Sequence, residues 1–314
     1  MKKYISTGLI VSAFFCLASC KQSKPEVYTP EHFQALSLLG DSLKIPERSV
    51  EAEARLMANL DEAKANYLAN PTEMNTIWLG RRYAYLSDYR KAIEVFSEGI
   101  EAFPSSYKMY RHRGHRYVSL REFDKAISDF AKAYELMPKD TMETEPDGAP
   151  NALNIPLSNT QFNILYHYGL AHYLKGEFDK AEPIYKECME YSDNPDLKVA
   201  TMDWLYMTLR KQGKTEEANT LLNSLNSDWE IIENDSYMKR LLMYKGELKT
   251  EELFKTDNAD VALSLATQGY GVANWYLYEG DTATAKRIFK DVVNGTSWAA
   301  FGYIAAEADL SRLQ

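Results

Sequence analysis

Residues 76–104 read TIWLGRRYAYLSDYRKAIEVFSEGIEAFP, and residues 109–138 read MYRHRGHRYVSLREFDKAISDFAKAYELMP. Set in phase, five residue pairs fall 34 apart: Gly80 and Gly114, Tyr83 and Tyr117, Ala92 and Ala126, Phe96 and Phe130, Pro104 and Pro138. Small, aromatic and helix-stopping residues keep one register, which marks repeated units of two helical segments closed by a proline. Such units stack side by side, each burying its apolar face on the next, and leave an extended concave surface suited to binding.

The phase continues downstream. Residues 164–189, ILYHYGLAHYLKGEFDKAEPIYKECM, place Gly169, Ala181 and Tyr185 where Gly114, Ala126 and Phe130 stand. Clear repeats are therefore expected at 73–106, 107–140 and 162–195. A degenerate one at about 199–230 keeps Gly213 and Ala218, and another at about 266–297 keeps Tyr276, Gly280, Ala285 and Phe289. An amphipathic segment, 298–310, is expected to cap the array. Between the second and third repeats, residues 139–160 carry Pro146, Pro150, Pro156 and Asp147-Gly148, a turn-rich insertion placed to cover one end of the concave face or to serve as a plain surface loop. No run alternates with period two, so no strand is expected.

Upstream, Val50 to Ala69 follows helical spacing and stops at Asn70-Pro71, which reads as a helix covering the first repeat. Residues 20–48 are polar and punctuated by Pro25, Pro30 and Pro46. They read as a tether with a short helix near Glu31 to Gly40. The array proper is expected over 49–314. Residues 1–19 join Lys2 and Lys3 to an uncharged apolar run, as a secretory leader does. The run ends in Leu17-Ala18-Ser19-Cys20, which resembles the lipobox of bacterial lipoproteins. That resemblance implies cleavage before Cys20, acylation of its thiol and amino group, and an outer-membrane lipid anchor. Two or more acyl chains hold a protein where one does so only marginally.

The chain has 314 residues, 45% hydrophobic and 26% charged, with net charge -9 that becomes -11 once Lys2 and Lys3 are removed. The acidic balance argues against nucleic acid, which is bound by neutralising phosphates. Without Cys16 and an acylated Cys20, Cys188 alone is left, so no disulfide framework forms and Cys188 is expected as a packed core thiol.

The two quoted stretches resemble the tetratricopeptide repeat, which pairs antiparallel helices in units of this length. The resemblance implies an all-α fold, a right-handed superhelical solenoid of helix pairs, whose first helices line the concave face. Registered on the glycines, it implies candidate groove residues Arg81 and Tyr85 in the first repeat, Lys108, Arg111 and His115 in the second, and Asn163, Tyr166 and Tyr173 in the third. These put a basic groove on an acidic protein. Five cationic or imidazole side chains crowd residues 110–117, YRHRGHRY. Like charges so dense cost helix stability unless anions offset them. Either nearby acids such as Asp88, Glu122, Asp124 and Asp129 pair with them, or they capture a carboxylate or phosphate.

His112, His115, His167 and His172 lack clean ligand spacing and have Arg neighbours that repel a cation, so no metal or other cofactor is indicated. No catalytic signature is present either. The expected function is a membrane-anchored scaffold or adaptor of the bacterial cell envelope, binding a peptide or protein partner. The alternative is a small-molecule or glycan binding protein, or an unrecognised hydrolase, using the Arg/His cluster under the 139–160 loop.

Overall fold

The computed structural model describes residues 32–148, 150–253 and 261–313. The leader, Cys20 and the start of the tether lie outside the described residues. The architecture is an all-α helical repeat solenoid of antiparallel helix pairs. Helix α1 (Val50–Ala69) leads, followed by α2 (Glu73–Tyr85) with α3 (Tyr89–Ala102), α4 (Tyr107–Ser119) with α5 (Phe123–Leu136), and α6 (Thr160–Lys175) with α7 (Phe178–Cys188). Side chains of Thr72, Asp88, Ser106 and Asn159 cap α2, α3, α4 and α6, accepting from otherwise orphaned first-turn amides.

Each pair closes through the same contact. A Cβ added at Gly114 would stand 2.9 Å from the Phe130 ring, one at Gly169 would stand 2.9 Å from the Tyr185 ring, and one at Gly80 would overlap Phe96. The missing side chain is the space the ring fills. The turn inside each pair also recurs, with one residue at positive φ: Ser87 (61°), Arg121 (65°) and Gly176 (82°), then Gly213 (73°) and Gly280 (86°) downstream. A glycine takes this conformation freely, whereas an arginine there costs roughly 1–2 kcal/mol.

The later half runs α8 (Pro195–Lys211), α9 (Thr215–Asn223), α10 (Asp235–Tyr244), the single turn α11 (Thr250–Leu253), α12 (Val261–Tyr278), α13 (Thr282–Val293) and α14 (Phe301–Arg312). Cys188 is fully buried beside Thr201, and burial pushes its thiol up to about 12. Among the described residues no helix is long and apolar enough to cross a membrane.

Two expectations are corrected. Instead of a helix near Glu31 to Gly40 in a free tether, β1 (Phe33–Leu36) pairs antiparallel with β2 (Ser42–Lys44). The Ser37 hydroxyl accepts from the Leu39 and Asp41 amides in the turn, and Gly40 supplies positive φ. The hairpin belongs to the body: Gln34 accepts from the Tyr89 amide at 2.9 Å, and Arg48 donates to Ser87 at 2.7 Å. Strands this short show no alternation, so their pairing is decided by these tertiary contacts.

The second correction concerns α14, which does not sit as an outer cap. Nine of its twelve residues, Gly302 to Leu310, are buried, so it is surrounded rather than placed at an end. It packs on α12, α13 and α6. Glu307 takes Arg121 at 2.6 Å and the Leu38 amide at 2.5 Å, while Asp309 takes Lys211 at 3.0 Å. Arg312 donates to Leu174 O at 2.9 Å. One helix thus ties the hairpin and three repeats together.

Candidate functional site

The eight candidate groove residues do not share one environment. Tyr173 is fully buried, its hydroxyl 2.6 Å from that of Tyr270 on α12 and 3.2 Å from Asn274 Nδ2. It is a core residue, because α12 covers the face that a simple array leaves open. Asn163 and Tyr166 are buried as well. Asn163 Nδ2 donates to Glu145 Oε2 at 3.0 Å and to Ser158 Oγ, holding the 139–160 loop, and Tyr166 shares a 2.8 Å hydrogen bond with Tyr237.

The other five gather where that loop crosses α2 and α4. Backbone bonds from Glu145 N to Ser158 O and from Thr160 N to Glu143 O close the loop on itself, and Gln161 Nε2 donates to Pro138 and Thr141 carbonyls at its base. Its first half then lies over the basic cluster. Glu143 accepts from Lys108 Nζ and Tyr107 Oη, both at 2.5 Å. Glu145 takes Arg111 at 3.3 Å, and Pro146 O accepts from Arg81 at 2.8 Å. Gly148 is held so close to Tyr85 and Arg81 that a Cβ there would overlap the Tyr85 hydroxyl.

Under this roof is a cavity of about 160 Å³ lined by Arg81, Arg111, Arg116, Tyr85, His112, His115 and Glu145, with Ala84 and Phe96. Its charges do not balance. Three guanidinium groups face one carboxylate, in a chain whose net charge is -9. Arg81 spends its donors on Pro146 O and on Tyr85 Oη at 3.1 Å, and lies 4.4 Å over the Trp78 ring. Asp147 on the loop also feels the Arg81 charge, which offsets part of the rise that burial gives its carboxyl. Arg111 bonds His112 Nδ1 at 2.8 Å yet leaves Nε buried without a partner. Arg116 has only the Tyr89 ring, 5.3 Å away, and no carboxylate partner among the described residues. Burial, with Arg111 and Arg81 nearby, pulls the Arg116 guanidinium down to about 10. It remains charged at neutral pH.

Part of the dense charge is internally paired, as one of the two sequence readings held: Arg113 makes a two-pronged contact with Asp129, both bonds 2.7 Å. The imidazoles add no charge. Burial first, then neighbouring arginines, push His112, His115 and His167 well below the usual histidine range. His112 stacks on Phe96 at 5.5 Å, and His115 lies 4.4 Å from His167 and 5.3 Å from Phe301 of α14.

Glu145 in the cavity wall and Phe301 beside His115 escaped the sequence reading, and Arg116 entered it only within a charged run. Arg116 was legible only as part of the YRHRGHRY run, because the glycine register does not place it on the lining. Glu145 lies in an insertion without repeat phase, and Phe301 arrives from a helix far down the chain.

The tetratricopeptide repeat family model matches residues 79–141, and a second tetratricopeptide repeat model matches residues 162–195. Among solved structures, the chain is similar to YrrB, described as a TPR protein with an unusual peptide-binding site, at 13% identity and TM-score 0.41, covering 74% of this chain and 91% of that one. A tetratricopeptide repeat protein from Parabacteroides merdae is similar at 13% identity and TM-score 0.47, covering 81% of this chain and 93% of that one. No curated protein matches. Repeats of this kind support a protein–protein interaction scaffold. With their glycine-registered helix pairs and these two matches, residues 79–141 and 162–195 of the chain are tetratricopeptide repeats.

Proposed function

We propose that this chain is a lipid-anchored scaffold of the bacterial envelope, fixed to the outer membrane through Cys20, that holds an acidic element of a partner protein against Arg81, Arg111 and Arg116. The leader and the Leu17-Ala18-Ser19-Cys20 sequence support the anchor. The observation that carries the binding reading is the surplus of guanidinium over carboxylate in a roofed cavity of an acidic protein. An arginine removed from water without a counter-charge is unfavourable on its own, and a carboxylate docked there offsets that cost through charge-assisted hydrogen bonds. A cavity of about 160 Å³ suits an inserted side chain or chain terminus rather than a whole helix.

The loop favours a second reading, in which the occupant is a small free anion. Glu143, Glu145 and Pro146 cover the cluster as a lid covers a small ligand site. Affinity capture from crosslinked membranes, comparing the intact protein with an Arg116→Glu variant of unchanged circular dichroism, tests the scaffold. A partner protein recovered with the intact chain and lost with the variant supports it. Identical captures, combined with a melting temperature raised by inorganic phosphate only in the intact chain, move the conclusion to the small anion.

A further inference from the structure

Residues 142–148 of the inserted loop read METEPDG, with a carboxylate at every second position: Glu143, Glu145 and Asp147. The bridge between Thr144 and Asn159 and the proline after Glu145 keep this stretch extended. Alternate side chains of an extended chain share a face. Met142, Thr144 and Pro146 are exposed, whereas Glu143, Glu145 and Asp147 are buried or half-buried against α2 and α4.

Each acid meets a cation of those two helices. Glu143 accepts from Lys108 and Tyr107, both at 2.5 Å, Glu145 lies 3.3 Å from Arg111, and Asp147 feels the charge of Arg81. Burial raises the Glu143 carboxyl, but the hydrogen bonds from Lys108 and Tyr107 outweigh it and hold the group below its usual range. The chain thus already lays on its basic cluster an extended segment whose carboxylates match the spacing of Lys108, Arg111 and Arg81.

The match is incomplete. Asp147 makes no ion pair among the described residues, Arg111 Nε has no partner, and Arg116 meets no carboxylate there. Among the described residues, the backbone of the segment contributes a single bond toward the two helices, Arg81 to Pro146 O; the rest of its hold on them is side-chain charge. An incoming carboxylate can replace each of those pairs one for one. One that also reaches Arg111 Nε and Arg116 gains charge-assisted bonds that the segment does not make.

We propose that residues 143–147 are an internal stand-in for the partner, whose docking element is an extended segment with carboxylates at alternate positions that displaces them from Lys108, Arg111 and Arg81. This inference rests on the acidic partner element proposed above. Because the stand-in is tethered, it competes at high effective concentration and admits only segments that match the cluster better.

Fluorescence anisotropy on the full chain, with the labelled peptide Gly-Ser-Glu-Ser-Glu-Ser-Asp-Ser-Gly as probe, tests the proposal. Its counterpart, Gly-Ser-Ser-Glu-Glu-Asp-Ser-Ser-Gly, has the same composition with the acids adjacent. The alternating peptide is expected to bind saturably and at least about fivefold more tightly than its counterpart. Glu143→Gln/Glu145→Gln/Asp147→Asn, which keeps the segment and removes its charge, is expected to bind the alternating peptide about tenfold more tightly than the intact chain. Glu143→Gln alone, at the half-exposed end of the segment, is expected to give about threefold in the same direction, which preserves the test if the triple variant does not fold. Unchanged or weakened binding in variants of unchanged circular dichroism overturns the proposal, as does equal affinity for the two peptides. Where inorganic phosphate still raises the melting temperature of the intact chain, either result overturns this proposal alone. Where phosphate has no effect and neither peptide binds even the triple variant, the acidic partner element proposed above falls with it.

Discussion

The first three repeats and the later half of the chain solve the same packing problem differently. In the first, Gly80, Gly114 and Gly169 each leave room for a ring sixteen residues on, Phe96, Phe130 and Tyr185. At the equivalent points of the later half stand Tyr206 with Leu222, where large and small have exchanged places, and Ala273 with Phe289. The polar inventory differs too. Of the buried side-chain atoms without a partner, Arg111 Nε and Tyr185 Oη belong to the first three repeats, while Asp203, Trp204, Arg240, Tyr244, Gln268 and Asn274 belong to α8, α10 and α12. A regular repeat is a packing solution, and the places where it is abandoned are where a protein accepts lost stability for another purpose. Arg121 shows this at one residue. It holds a left-handed turn position that glycine takes in the last three repeats, and in exchange it anchors Glu307 of α14.

The largest loss of stability is expected at the ring. Phe130→Ala is expected to cost about 3–5 kcal/mol, and Leu222→Ala less, about 2–3 kcal/mol, because the packing around Tyr206 is not built on a glycine gap. Urea unfolding of both variants measures this, and equal losses would erase the distinction. Glu307→Ala strands Arg121 in the interior and is expected to cost about 3–5 kcal/mol. Adding Arg121→Gly to that variant should recover much of the loss, since it removes both the stranded charge and the turn strain. At Gly114, alanine pushes into the Phe130 ring and is expected to cost about 1–3 kcal/mol.

Smaller effects follow from charge. The unfolded chain protonates histidine near pH 6.5, whereas folded His112, His115 and His167 resist protonation until well below that. Across this interval the unfolded state binds more protons, so stability falls as pH drops below about 6.5. Asp203 acts in the opposite sense. Burial, only partly offset by Arg240, pushes its carboxyl up to about 6, so acid between about pH 4 and 6 favours the folded state through that group. Three histidines against one aspartate predict a lower melting temperature at pH 5 than at pH 7, with a smaller difference in His112→Gln. The least effect on folding is expected from Arg116→Gln. Without ligand it should leave stability unchanged or raise it by up to about 1 kcal/mol, because a cation crowded by Arg81 and Arg111 is removed.

The helix pairs were readable in the sequence because Gly114, Phe130, Ala126 and Pro138 each have one steric duty that fixes residue type and spacing together. The β1–β2 hairpin was not, since four and three residues are too few to alternate and Gln34 is placed by Tyr89 from the next element. Nor was the position of α14 readable. Its buried Glu307 and Asp309 look like solvent-facing acids until Arg121 and Lys211 are brought to them. The candidate site was half legible. Arg81, Tyr85, Lys108, Arg111 and His115 do come together, but Tyr173 was assigned to the lining by motif position alone, which carries no information about the α12 helix packed over it.

Thermal melts in rising inorganic phosphate at constant ionic strength report whether the arginine cavity is built for an anionic group. Phosphate is expected to raise the melting temperature of the intact protein in a saturable way and to leave that of Arg116→Gln unmoved. Equal shifts in both proteins, or none in either, would mean that Arg81, Arg111 and Arg116 are held by the fold alone, and would contradict an anion site there.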